Sequence, residues 1–103
     1  MDPAEFLIVS SELREILKNP PADFVLLDVR EQEEFDENRI EGCKLIPMSE
    51  FASRLNELDP QSDIVIYCAH GVRSLHALMA LRASGFKKLR SLEGGIADYL
   101  GIP

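Results

Sequence analysis

Apolar positions in this chain fall into two alternating kinds of block. Short β-branched and aliphatic runs predict strands over 6–9, 24–28, 42–46, 63–67 and 88–92. Between them, apolar residues recur at helical spacing. A helix is expected from Ser10 or Ser11, either of which can cap it, to about Lys18, with Leu13, Ile16 and Leu17 inward and Asn19-Pro20-Pro21 as its stop. A short acidic helix is expected over 31–38, anchored by Phe35. Ser49 is placed to cap a third, with Phe51, Leu55 and Leu58 on one face and Asp59-Pro60 closing it. The fourth follows Ser74, carries Leu75, Leu78 and Met79 on one face, and ends at Gly85, with Phe86 free for the apolar contact of a left-handed cap. A last short helix is expected over 96–100 after Gly94-Gly95.

Alternating strands and helices predict an α/β fold: a five-stranded parallel sheet with helices on both faces. The run Asp63-Ile64-Val65-Ile66-Tyr67 has the continuous apolar character of a strand covered on both sides. Ligands of such sheets sit beyond the carboxyl ends of the strands, which puts Asp28, Cys68 and Glu93 on one rim.

The bulk numbers narrow the function. The 103 residues are expected to form one domain, 1–103, with 46% hydrophobic and 28% charged residues. A formal net charge of −7, with no basic run longer than Lys87-Lys88, argues against a nucleic-acid surface. No apolar stretch approaches the ~20 residues of a membrane span, and the acidic start at residues 1–5 is unlike a secretory leader. Two cysteines make neither a disulfide scaffold nor a metal-ligand signature, so no metal is expected, and a reducing cytoplasmic setting fits.

The chemistry concentrates in one loop. Cys68-Ala69-His70-Gly71-Val72-Arg73-Ser74 joins the fourth strand to its helix. Backbone N–H groups of a short curved loop, together with a helix N-terminus, form an anion-binding concavity. A thiol placed there ionises more easily, and such sites lower a cysteine pKa from about 8.5 to roughly 3.5–7.5. The competing reading is an inert buried cysteine. Arg73 is read either as a contact to an anionic donor or as a loop staple on a carboxylate. Gly71 is read as permitting an unusual backbone angle, Ser74 as the helix cap, and His70 as either solvated or in contact with substrate. Cys43 is read as packing.

Cys68-x-x-Gly71-x-Arg73-Ser74 after a buried strand resembles the active-site loop of the rhodanese family of sulfurtransferases. Leu26-Leu27-Asp28-Val29-Arg30-Glu31 with Glu34-Phe35, then Arg39-Ile40-Glu41-Gly42-Cys43 with Ile46-Pro47, and Leu92-Glu93-Gly94-Gly95-Ile96 resemble its other signatures. The likeness runs from about Phe6 to Leu100. It extends to the C-terminal rhodanese domain of molybdopterin-synthase sulfurylases. Arg39 stands where a histidine is usual, and Tyr99 where an aromatic is common. The resemblance implies a five-stranded α/β domain in which Cys68 is catalytic and residues 69–74 bind substrate. It puts Asp28 and Arg30 near the cleft, Asp28 mainly architectural. Sulfur would pass from thiosulfate or a protein persulfide to a thiol, cyanide or a sulfur-carrier protein, without a cofactor. Two rivals are a non-catalytic binding module and a cysteine-dependent phosphatase or arsenate reductase. The latter resembles Cys-x5-Arg, which would need arginine at position 74, where this chain has Ser74.

Overall fold

The computed structural model describes residues 3–103, so the part of the leader reading that rests on Met1 and Asp2 lies outside the described residues. The strands are β1 (Leu7–Ile8), β2 (Phe24–Asp28), β3 (Lys44–Leu45), β4 (Asp63–Tyr67) and β5 (Leu89–Leu92). The helices are α1 (Ser10–Lys18), α2 (Gln32–Glu37), α3 (Phe51–Arg54), α4 (Val72–Ala83) and α5 (Gly95–Leu100). Short 3-10 turns at Met48–Glu50 and Leu55–Glu57 flank α3. All pairings are parallel, in the order β1-β5-β4-β2-β3.

Side-chain alternation along the central strands divides the core in two. Leu27, Ile64, Ile66, Cys68 and Leu89 face α3 and α4, where Phe51, Ala77, Leu78 and Leu81 close over them. Leu26, Val65, Tyr67 and Leu92 face the opposite way, toward Leu13 of α1 and Ile96 of α5. Both faces being covered explains why β2 and β4 read as continuous apolar runs rather than alternating ones.

Several local expectations are corrected. The first and third strands shrink to two residues each, because only those positions pair with a neighbour at the sheet's two edges. Neither Ser10 nor Ser11 caps α1: the N-cap is Val9, and the Ser10 hydroxyl instead donates to Asp98 at 2.6 Å, tying α1 to α5. Ser49 is no cap either; its hydroxyl donates to Glu31 at 2.7 Å. The helix expected across Phe51, Leu55 and Leu58 breaks after Arg54 into a 3-10 turn, yet Leu58 still reaches the core.

The face of α4 also differs. Leu75 and Met79 are 39% and 63% exposed, and the buried stripe is Ser74, Ala77, Leu78 and Leu81. The two stripes differ by a small rotation about the helix axis. Ser74 bonds inward to two buried partners and Ala77 sits against the sheet, so the more apolar stripe turns toward solvent. Gly85 behaves as expected: it has φ +96°, and Phe86 N–H closes back on the Leu81 carbonyl at 3.1 Å.

Candidate active site

Four residues, 68–71, carry the chain from the end of β4 to the start of α4. Cys68 is 1% exposed. Its sulfur accepts the Gly71 N–H at 3.1 Å and the Ser74 N–H at 3.3 Å, and lies 3.4 Å from the Ser74 hydroxyl. Gly71 is the N-cap of α4 with φ +105°, a left-handed backbone that turns its N–H onto the sulfur and that side-chain-bearing residues rarely adopt. Burial pushes the Cys68 thiol up, but the Ser74 hydroxyl and the N–H groups of Ser74, Gly71 and His70 outweigh it, and the thiol lies below its ordinary value. Ser74 is therefore not a cap. It is the third residue of α4 and faces the sulfur.

The loop is held from behind by α5. Ile96 N–H donates to the Cys68 carbonyl at 2.9 Å and Ala97 N–H to the Ala69 carbonyl at 3.1 Å. This needs close approach at Gly95, which has φ +63°; a Cβ there would lie 2.4 Å from the Ala69 oxygen and 2.5 Å from the Cys68 oxygen.

Arg73 takes the staple arrangement. Its guanidinium grips both oxygens of Glu34 on α2, at 2.7 and 2.8 Å. The Arg73 hydrogen bond holds the Glu34 carboxyl down at about 2. Asp28 and Arg30 form a buried brace. The Arg30 guanidinium contacts both Asp28 oxygens at 2.9–3.2 Å and also reaches the Asn38 side-chain oxygen at 3.0 Å and the Glu34 carbonyl at 3.3 Å. The expected rim exists, since Asp28, Cys68 and Glu93 all sit at carboxyl ends of strands, but Asp28 is turned onto Arg30 and Glu93 is exposed. Ala69 is half-buried; His70 and Val72 are exposed. A cavity of about 160 Å³ beside the loop is lined in part by Ala69, His70, Arg30 and Glu37. A larger one, about 780 Å³, lies elsewhere against Leu17, Phe24, Ile40 and Tyr99 and includes none of the loop residues.

Cys43 stays apart from Cys68. It packs with the α1–α5 side of the core, where the Tyr67 hydroxyl donates to its sulfur at 3.3 Å, while Cys68 belongs to the α3–α4 side. Burial pushes the Cys43 thiol up. Arg39 stacks on Phe35 and Tyr99 lies under Arg14.

One residue of the site escaped the sequence reading. Ser91 of β5 is fully buried, and its hydroxyl lies 2.7 Å from that of Ser74. Its only signal was register: it alternates with Leu92, so it shares the face of Leu89, where the strand pattern calls for an apolar residue.

Known proteins resemble this chain in sequence and fold. The family model for the rhodanese-like domain matches residues 9–101. YrkF of Bacillus subtilis (strain 168), named for a sulfur-carrier role, is 40% identical over 76 residues, 74% of this chain and 41% of its own. MoeZ of Mycobacterium tuberculosis, named as an adenylyltransferase/sulfurtransferase, is 40% identical over 94 residues, 89% of this chain and 24% of its own. The chain thus spans less than half the length of either relative. The thiosulfate sulfurtransferase GlpE of Coxiella burnetii is 32% identical over 77 residues, 75% of this chain and 72% of its own. The crystal structure of a rhodanese-related protein from Thermoplasma volcanium superposes with a TM-score of 0.82 at 31% identity, covering 94% of each chain. A parallel five-stranded sheet, a cysteine loop between β4 and α4, and a family match over nearly the whole length agree, and the chain belongs to the rhodanese-like domain family.

Proposed function

We propose that this protein is a sulfurtransferase that carries sulfane sulfur as a persulfide on Cys68. The observation that carries the reading is the convergence of the Gly71 and Ser74 N–H groups on one buried sulfur at a helix N-terminus. In the first half-reaction the Cys68 thiolate attacks the outer sulfur of a donor. With thiosulfate, a Cys68 S–S bond forms, the donor's own S–S bond breaks, and sulfite leaves with the electron pair. With a protein persulfide the leaving group is that protein's thiolate. In the second half-reaction an acceptor nucleophile attacks the outer sulfur and the Cys68 thiolate leaves, so the kinetics are ping-pong. Cyanide serves in an assay; a thiol or a sulfur-carrier protein is the biological acceptor.

The loop N–H groups stabilise the negative charge on sulfur in both states, as an oxyanion hole does. Ala69, His70 and Val72 form the approach to it. Asp28, Arg30 and Arg73 act by holding the loop's surroundings in place. Residues 1–103 act as one sulfur-transfer domain, in the cytoplasm; among the described residues no helix is long and apolar enough to cross a membrane. The likeness to MoeZ and YrkF supports a relay role in which sulfur passes between proteins.

Intact mass spectrometry tests the proposal. After incubation with thiosulfate and removal of the excess, the protein gains one sulfur, loses it on adding cyanide, and gains none as Cys68→Ser, whose hydroxyl does not ionise at neutral pH. Sulfur loading in folded Cys68→Ser would overturn the assignment.

A further inference from the structure

We propose that Ser91 is a positioning residue: through its hydrogen bond to Ser74 it directs the Ser74 hydroxyl onto the Cys68 sulfur. The inference rests on Cys68 being the reacting nucleophile.

The argument begins with burial. Ser91 is 0% exposed, its side-chain hydrogen bond among the described residues is to Ser74, and it lies on the sheet face that otherwise carries Leu27, Ile66 and Leu89. A buried hydroxyl in an apolar layer is unfavourable unless bonded. Ser74 is likewise fully buried and lies between Ser91 at 2.7 Å and Cys68 at 3.4 Å. The three groups form a chain with two links.

Counting protons along that chain gives its direction. With Cys68 as a thiol, three protons share two links, and one donor is left without an acceptor. With Cys68 as a thiolate, two protons serve two links: Ser91 donates to Ser74, and Ser74 donates to sulfur. Only in that state is every hydroxyl proton used. The Ser91 bond also occupies Ser74's acceptor side and polarises its O–H toward the sulfur, the cooperative strengthening expected in a low-dielectric chain. Without Ser91, the Ser74 hydroxyl loses the partner that fixes its orientation. Ser91 touches neither sulfur nor substrate, so its effect passes entirely through Ser74.

The charged and titratable groups around the site come from several elements. They are Arg73 of α4 with its partner Glu34 of α2, His70 in the loop, the closed Asp28–Arg30 pair at the end of β2, and Glu93 after β5. Arg90, the neighbour of Ser91, faces Asp63. Ser91→Ala alters none of them, so a change in Cys68 titration reports the hydroxyl chain.

The test is a double-mutant cycle on the full chain, reading the ultraviolet thiolate absorbance against pH as the difference from the matching Cys68→Ser protein. Ser91→Ala is expected to lower the thiolate fraction below the midpoint by about two- to tenfold, the span of one neutral hydrogen bond. In a Ser74→Ala background Ser91→Ala is expected to do nothing further. Ser91→Thr, which keeps the hydroxyl on a β-branched residue suited to a strand, is expected to restore the wild-type midpoint. An unchanged titration in folded Ser91→Ala, an equal shift in the Ser74→Ala background, or an alanine-like midpoint for folded Ser91→Thr would each overturn the assignment. Failure of the wild-type protein to accept sulfur from thiosulfate would strike the proposed function and leave this result standing.

Discussion

Gly95→Ala isolates the contact between α5 and the cysteine loop. The glycine has φ +63°, and an alanine Cβ would fall 2.4–2.5 Å from backbone atoms of Cys68 and Ala69. Two costs follow. A left-handed conformation costs a residue with a Cβ about 1–2 kcal/mol, and forcing an extra carbon into filled space costs about 1–3 kcal/mol more. For a domain of this size each kcal/mol lowers the melting temperature by about 4–8 °C, so a fall of about 8–40 °C is expected. Gly101→Ala is the control. Gly101 has nearly the same φ, +70°, with nothing within 4 Å of its would-be Cβ. It bears the conformational cost alone and should lose about 5–15 °C. Thermal denaturation of the two variants thus separates crowding from backbone strain. The crowding also has a functional reading, because the obstructing atoms are the same carbonyls that accept the Ile96 and Ala97 N–H groups. Relief requires the loop to move, so folded Gly95→Ala should also show less Cys68 thiolate at neutral pH, and Gly101→Ala should not. Equal melting temperatures and equal Cys68 titration in the two variants would refute the idea that α5 sets the loop's position.

Asp28→Asn leaves the Arg30 charge buried without its partner and should destabilise the fold by about 3–5 kcal/mol, read as a lowered urea midpoint with unchanged slope. Glu34 is depressed to about 2 by Arg73, so the pair's stabilisation is present above the carboxyl's unfolded value of about 4.3 and fades as pH falls through the folded one. Because both side chains are about a third exposed, the pair contributes no more than about 1 kcal/mol, and the stability gap between wild type and Glu34→Gln at pH 7 should close near pH 2. Cys43→Ser should load sulfur at Cys68 at the wild-type rate in the mass assay, since the two thiols belong to opposite sides of the core; loss of loading in the folded variant would show that Cys43 takes part.

What could be read from the sequence was periodic or local. The number of strands, the alternation, the rim and the loop all follow from runs such as Asp63-Ile64-Val65-Ile66-Tyr67 and from glycines at the turns, because those signals lie within a few residues of each other. The orientation of α4 was not legible. Leu75, Leu78 and Met79 make the more apolar stripe, and the helix buries Ser74 and Ala77 in place of Leu75 and Met79 because Ser74 is bonded across the sheet face. Long-range polar contacts were invisible for the same reason. Glu34 is 39 residues from Arg73, and Ser91 is 17 from Ser74. No spacing rule links them; only the parallel sheet brings them together. The serines misread as caps show the converse error: Ser10 and Ser49 have the right local context, but carboxylates from Asp98 and Glu31 take their hydroxyls.

The pairing of Arg73 bears on the choice between sulfur and phosphorus chemistry. A site for a phosphoryl group has to spread its donors over several oxygens and leave an arginine fork free for them. Here the fork is filled by Glu34, both nitrogens engaged at 2.7 and 2.8 Å. The Gly71 and Ser74 N–H groups instead converge on a single atom, with the Ser74 hydroxyl 3.4 Å from it. Such a cradle stabilises charge centred on the cysteine sulfur rather than charge spread over a tetrahedron. A thiolate, and a persulfide extended from it by one atom, both keep their charge within reach of those donors. Arg73 still adds positive potential at longer range, but Glu34 cancels much of it. The anion is held by backbone geometry, and that geometry is secured by the turn at Gly71 and by α5 pressing on the loop from behind through Gly95. The same reasoning supports sulfur transfer over a phosphatase or arsenate reductase independently of the one-residue difference in loop length.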